Sequence, residues 1–434
     1  MRVESDFRDG RLELSFELDR NDREHLENSD SKMNEGLEVY VDLGSEVKEL
    51  HPDQVALATI LICNPFVGKE LHLPGPVSEA FYNSVSSVIS RYRIQKNCVE
   101  DIVPMSAKNR SLPSLAFSGG ADSTAALSVM PGETIPVFLN RPETRGSRYD
   151  PDAALEICRG IGESGYDVQI VDSNLEFIRD PVGFPTDLAH AVPVVLLADS
   201  LDIGSVSFGT IMESGYGIGH EKFHDYRFTA HKKFFGRMFD SIGIELAMPV
   251  IGVSEVGTAM ICGKSPFGHY SQSCIRGTWL RPCMSCWKCF RKELLAVSLG
   301  LSDSQDLVSM METNEVQIRL SSFPISHENV IIYAIQRMDL EEHPYLKPVA
   351  SKLDMSARLD FLETWYPCSI DLVPHKMRHS VRSKILQFLD VMSPDQESDF
   401  MKWDMHDHLE SDRAKKAQER LTSVWQDFSS RFGK

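Results

Sequence analysis

Two stretches of the 434-residue chain carry residue types that can do chemistry. The first is Ser118-Gly119-Gly120-Ala121-Asp122-Ser123, set between an apolar run and a helical pattern. A strand-to-helix turn presents unpaired N–H groups and the positive end of a helix dipole, and together these attract anions. Gly119 and Gly120 permit positive φ and a close approach of the backbone to oxygen atoms, while Ser118 and Ser123 bring hydroxyl donors. Asp122 would repel a phosphate unless a divalent cation lay between them, so it points to magnesium. The bland alternative is a plain turn with Asp122 as a helix cap. The order of residues favours a phosphate cradle, although it is neither a Walker loop nor a dinucleotide fingerprint.

The second stretch places Cys274, Cys283, Cys286 and Cys289 at C-x8-C-x2-C-x2-C spacing. Four thiolates at loop spacing suit a closed, tetrahedral zinc site of the structural kind. An iron–sulfur cluster is the alternative, because C-x2-C-x2-C also suits iron. Nine cysteines are an odd number, and their crowding fits a metal site in a reducing compartment better than a disulfide framework. Lys288, Arg291 and Lys292 are expected to temper the charge of the thiolates.

The elements around these stretches read as three regions. Residues 111–300 hold short apolar runs of strand length, "SLPSLAF", "TIPVFLN", "DVQIVDS", "GSVSFGT" and "IELAMPV", with helical patterns between them at 151–164 and 185–201. That order predicts an α/β fold, a parallel sheet with helices on both faces and ligands at the carboxyl ends of its strands. Residues 1–110 read as an α+β extension, with alternating strands over Leu12 to Leu18 and Leu37 to Leu43 and helices at 53–63 and 77–92. Residues 301–434 read as a helical extension for packing or partner contact, ending in a polar amphipathic helix over 412–432. A formal charge of -18 argues against broad nucleic-acid binding. The apolar runs fall short of the roughly 18 residues of a membrane helix, and the acidic start is unlike a secretory signal, so a cytoplasmic location is expected.

The Ser-Gly-Gly-x-Asp-Ser order resembles the loop of the PP-loop ATP pyrophosphatases, which hold the β- and γ-phosphates of ATP and split it to AMP and pyrophosphate. With the cysteine motif downstream, the pair looks like the 7-cyano-7-deazaguanine synthases of queuosine biosynthesis. "SFGTIMESGYGIGHEKF" from Ser207, which contains Ser214-Gly215-Tyr216, and "GVSEVGTAMI" from Gly252 are similar to two further segments of that family. The resemblance covers about residues 111–299 and implies a PP-loop, HUP-like fold. It implies adenylation of a 7-deazaguanine carboxylate by ATP, then displacement of AMP by ammonia to an amide, then dehydration to a nitrile. Ser118, Gly119, Gly120, Asp122 and Ser123 would hold pyrophosphate and magnesium, adenine would sit near Phe138 and Asn140, and the four cysteines would bind zinc. The sequence departs where the family reads Pro-Asp-Cys-Arg, having Gly217-Ile218-Gly219-His220, and Thr210 and Glu213 replace an expected Asn and Asp. The substrate pocket is therefore expected to differ, with Phe208, Glu213, Ser214, Gly215, Tyr216 and Lys222 as candidates. A base could stack on Tyr216 or Phe208 and donate to Glu213; Glu213 as a surface carboxylate is the alternative.

His220, Lys222, His224, Arg227 and Lys232 form a cationic stretch, of which at most two are expected to face the phosphates; Arg141, Arg145 and Arg148 form another. The long flanks resemble synthase-like proteins of bacterial anti-phage systems, which implies transfer of the activated acid to a protein amine in a defence partner. Dimerisation or solubility is the other role open to the flanks. Two rival classes stand beside this reading: a tRNA-thiolating PP-loop enzyme with an iron–sulfur cluster, and a non-catalytic ATP-binding subunit.

Overall fold

A computed structural model describes residues 1–412 except 31, 99–100, 144–148, 220–221 and 304–305, together with 415, 416 and 418. Arg145, Arg148 and His220 lie outside the described residues, as does most of the expected last helix.

One eight-stranded sheet organises the chain. Its strands are β1 (Arg2–Arg8), β2 (Arg11–Glu17), β3 (Val39–Asp42), β4 (Leu112–Phe117), β5 (Ile135–Asn140), β6 (Gln169–Ser173), β7 (Ile203–Ser207) and β8 (Glu245–Ala247). Across the sheet the order is β1-β2-β3-β6-β5-β4-β7-β8. The five strands from β6 to β8 are parallel, with Ser114 opposite Ile135 on one side of β4 and Leu115 opposite Ser207 on the other. The first three strands pair antiparallel, and β3 joins β6 through Val41 and Ser173. The first 110 residues thus enlarge the parallel sheet and do not stand apart from it. The fold is mixed α/β with a large, mostly parallel sheet and a helical C-terminal region.

Burial explains why the central strands read as continuous apolar runs. Strands β4, β5 and β7 are buried along nearly their whole length, as expected where helices cover both faces. Successive side chains point to opposite faces. Ala116, Val137 and Val206 pack toward α1 (Pro52–Cys63) and α4 (Val192–Leu197). Leu115, Phe117 and Phe138 pack with α2 (Ala121–Val129), α3 (Asp152–Glu163) and α10 (His375–Ile385). Strand β2 alternates buried and exposed residues only over its first half.

The remaining helices that bear on function are α5 (Met212–Tyr216), α6 (Ala230–Asp240), α7 (Glu255–Lys264), α8 (Trp287–Ser298) and α9 (Glu328–Gln336). Two expected helices are shorter than their patterns. The span 77–92 is helical only over Glu79–Ser86, where Ser78 caps the start by accepting from Phe81 N. The span 185–201 becomes a 3-10 turn at Ala189–Ala191 followed by α4, whose first turn holds Pro193 and so needs no N–H at that position. No helix among the described residues is long and apolar enough to cross a membrane.

The helical C-terminal region is part of the core. Met377, Val381 and Ile385 of α10 are buried in the same cluster as Leu115 and Phe117, and Trp365 is buried with its indole N–H donated to Ser369. Removing buried methyl groups costs the lost transfer energy plus a cavity. Ile385→Ala is therefore expected to destabilise the fold by about 2–5 kcal/mol, seen as a lower midpoint in urea unfolding followed by tryptophan fluorescence.

Candidate functional site

Chain order fixes where a ligand should sit. From β4 the chain steps to β5 and β6 on one side, then returns to place β7 on the other side of β4. This reversal between β4 and β7 is a topological switch point, where open parallel sheets bind ligands at the strands' carboxyl ends. A cavity of about 580 Å³ opens there. Ser118, Asp122 and Ser123 line it from the turn after β4; Phe208, Gly209, Thr210 and Ser214 line it from the segment after β7.

The turn is held in shape by its own hydroxyls. Ser118 Oγ and Ser123 Oγ are 3.0 Å apart, Ser123 Oγ donates to Gly120 O at 3.0 Å, and Ala121 N donates to Ser273 Oγ at 3.2 Å. Gly119 has φ +73°, which a residue with a Cβ adopts only under strain. Gly209 is needed for a different reason: a Cβ there would lie 2.8 Å from Ser123 N, so only glycine lets the β7 loop reach the start of α2. Asp122 Oδ1 accepts from Thr258 Oγ1 at 2.9 Å and has Lys292 Nζ at 3.9 Å, and its side chain keeps 38% exposure. A part-exposed carboxylate so oriented could hold a divalent cation.

The expected pocket residues divide. Phe208 and Ser214 line the cavity, and Phe208 meets His190 edge-on at 4.9 Å. Tyr216 does not line it: the ring is buried and stacks on Phe223 at 5.9 Å beside Tyr366 and Phe400. Gly215 packs against Ile251, where a Cβ would lie 2.3 Å from Cγ1. Lys222 is largely exposed and pairs with Asp404 at 3.3 Å. Glu213 is 2% exposed, so it is neither a surface carboxylate nor a cavity acceptor. Its two oxygens accept from Glu255 N at 3.1 Å, and Asn329 Nδ2 donates to Oε1 at 2.9 Å. Of the cationic stretch, His224 is the described member that lines the cavity; Arg227 is engaged with Asp225 and Asp371. Phe138 and Asn140 end β5, next to β4 but outside the cavity wall, and Asn140 donates to Asp172 at 2.6 Å. Arg141 is committed to Glu176 at 2.6 Å.

A buried charge cluster escaped sequence reasoning. Glu255, at the start of α7, meets Arg291 Nε at 2.9 Å, Lys292 Nζ at 2.9 Å and His327 Nδ1 at 3.5 Å. Burial by itself would raise its pKa, but Lys292, Arg291 and His327 reverse this and hold it well below the carboxylate range. Arg291 and Lys292 thus spend their charge on Glu255, not mainly on the thiolates. Glu213 has no such cations, and burial followed by the Glu255 charge pushes it up to about 7.

The cysteine motif does converge. The four Sγ atoms of Cys274, Cys283, Cys286 and Cys289 all lie within 4.8 Å of one another. Zn–S bonds of about 2.3 Å in a tetrahedron give edges of about 3.8 Å; Cys283 to Cys289 is 3.8 Å and Cys286 to Cys289 is 3.5 Å. Backbone N–H groups of Arg276 and Cys283 point at Cys274 Sγ, and that of Cys289 at Cys286 Sγ, each at 3.4 Å, which stabilises thiolate charge. The cluster could hold a metal ion such as zinc.

Residues 234–404 match a family described as "Family of unknown function (DUF6395)". The match, less than half of the chain, takes in α7, the cysteine cluster, α8, α9 and α10 and leaves out the glycine turn. Neither the curated proteins nor the solved structures give a match.

Two measurements follow. Cys286→Ser is expected to lower bound metal from about one ion per chain to near zero in elemental analysis. Glu213 has a folded pKa near 7 against an ordinary value of 4.5, so the folded state binds more protons between those values and stability falls as pH rises across them. Urea unfolding of wild type should lose about 1 kcal/mol per pH unit from pH 5 to 7 relative to Glu213→Gln.

Proposed function

We propose that the chain adenylates a 7-deazaguanine-type carboxylate with ATP, releasing pyrophosphate, and passes the acyl group to ammonia or another amine to form an amide. The observation that carries this reading is the position of Ser118 to Ser123. The turn sits at the switch point of the sheet and opens into a cavity of about 580 Å³, within the size range of small-ligand sites.

The chemistry needs what the turn offers. A carboxylate is a poor electrophile until one oxygen becomes part of a good leaving group. Its oxygen attacks the α-phosphorus of ATP in line, the bond to the β-phosphate oxygen breaks, and pyrophosphate leaves. Donors aimed at the departing charge lower the barrier. Ser118, Ser123 and the start of α2 would face the β- and γ-phosphates, and a magnesium ion on Asp122 would neutralise charge there. Lys292, held cationic because Glu255 and Asp122 outweigh its burial, adds positive charge behind the carboxylate.

Phe208 and the edge-on His190 give the cavity an apolar wall against which a flat heterocycle could pack. Burial lowers His190 to a pKa of about 4, so that wall is uncharged at neutral pH. Asn140 ends β5 beside the switch point, with its Oδ1 buried and without a hydrogen-bond partner. The altered loop after β7, with Glu213 and Tyr216 turned inward, supports a remodelled substrate pocket.

Incubation with ATP, magnesium and 7-carboxy-7-deazaguanine should yield AMP and pyrophosphate. Asp122→Asn should slow pyrophosphate release by about a hundredfold or more. ATP that binds but is never cleaved, with this acid or any other, would mark the chain as a non-catalytic nucleotide-binding subunit.

A further inference from the structure

The cavity at the glycine turn shares a wall with a second one. A space of about 740 Å³ lies beyond, lined among others by Ser87, Ser90, Arg91, Lys233 and Phe234, and Asp187 and His231 line both. His231 sits in the first turn of α6, whose N-cap Thr229 accepts from Lys232 N and also lines the first cavity. Its ring is fixed from both sides: Nε2 lies 3.3 Å from Asp187 Oδ2, and Nδ1 lies 2.8 Å from the Tyr226 hydroxyl. Phe235 packs on the ring at 4.6 Å.

Such a ring has a defined tautomer. A proton on Nε2 donated to the Asp187 carboxylate leaves Nδ1 to accept from the Tyr226 hydroxyl. The hydrogen bond from His231 holds Asp187 below the usual carboxylate range, with His190 and Arg179 also nearby. Burial, and then the Asp187 charge, raises Tyr226 and keeps its hydroxyl protonated. Other titratable groups on the first cavity are less suited to take a proton. Burial makes His190 too weak a base, and Asp122 is engaged by Thr258 and Lys292. His224 lies against Gly217, away from the shared wall. Arg91 and Lys233 face the second cavity as cations.

We propose that Tyr226, His231 and Asp187 form a proton relay that deprotonates the amine acceptor at the junction of the two cavities. This deepens the adenylation reading and rests on it. An ammonium ion gives one proton to Tyr226 Oη as Tyr226 passes its own to His231 Nδ1, and Asp187 stabilises the resulting imidazolium. The freed amine attacks the acyl carbon and a C–N bond forms. The carbon–oxygen bond to the phosphate breaks, AMP leaves with the electron pair, and the nitrogen's second surplus proton passes to water. Tyr226 is the group that touches the nucleophile; His231 and Asp187 act through it.

The test compares two nucleophiles on the full-length protein with ATP and 7-carboxy-7-deazaguanine. Ammonia is mostly protonated at neutral pH and needs the relay, whereas hydroxylamine is mostly unprotonated and attacks unaided. Tyr226→Phe and His231→Gln should each slow amide formation from ammonium by about a hundredfold, while hydroxamate formation falls by no more than about threefold. Asp187→Asn, on a side chain that is 80% exposed and so safe for folding, should show the same selectivity with a smaller loss. Equal losses with both nucleophiles, or no loss with ammonium, would overturn the relay. Wild type that makes neither AMP nor hydroxamate would overturn the adenylation reading itself, and the relay with it.

Discussion

The buried carboxylate of Glu255 is the interaction on which the arrangement around the cavity depends. It lies at the start of α7 and draws in Arg291 and Lys292 from α8 and His327 from the entrance to α9. Its own backbone N–H is taken by Glu213 of α5, which Asn329 of α9 also holds. Four helices are therefore registered around one negative charge. A lone buried carboxylate is costly to ionise, and truncating any of its cations would remove part of what compensates it. The cluster reaches the glycine turn through Lys292, which lies between Glu255 and Asp122. Positive charge thus reaches Asp122 from residues behind the cavity wall.

Much of the parallel sheet was legible because its signal is local. Runs such as "SLPSLAF" and "TIPVFLN" are buried on both faces, and an uninterrupted apolar run of strand length with a turn after it has few other readings. The glycine turn was legible for a similar reason, since Gly119 answers to a backbone constraint that few other residues could meet, whereas the need for Gly209 came only with the fold. The cysteines were legible from spacing alone. By contrast, Glu213 and Tyr216 looked like pocket residues because the loop around them resembles a segment of the 7-cyano-7-deazaguanine synthases. Their direction was decided by partners more than a hundred residues away, Asn329 for the first and Tyr366 and Phe400 for the second. Lys292 was misassigned for the same reason: its sequence neighbours are thiolates, but the charge it meets is on α7.

The flanking regions also gain a physical role from the fold. The N-terminal strands lengthen the sheet beyond β6, and α10 covers the face of β4 that carries Leu115 and Phe117. Neither is a detachable addition to the parallel part of the sheet. The family match, which runs through β8, the cysteine cluster and the C-terminal helices, takes in Glu255, Arg291, Lys292 and His327 of the buried charge cluster.

Helix α8 begins between two of the cysteines and carries Arg291 and Lys292 one turn later. Its N-terminal end therefore belongs to the cysteine loop and its next turn to the charge cluster beside the cavity. Loading or stripping a metal at the four cysteines would thus act at a distance on the positive charge beside Asp122. A defect in a cysteine variant would then report a displaced cation as readily as a loosened fold.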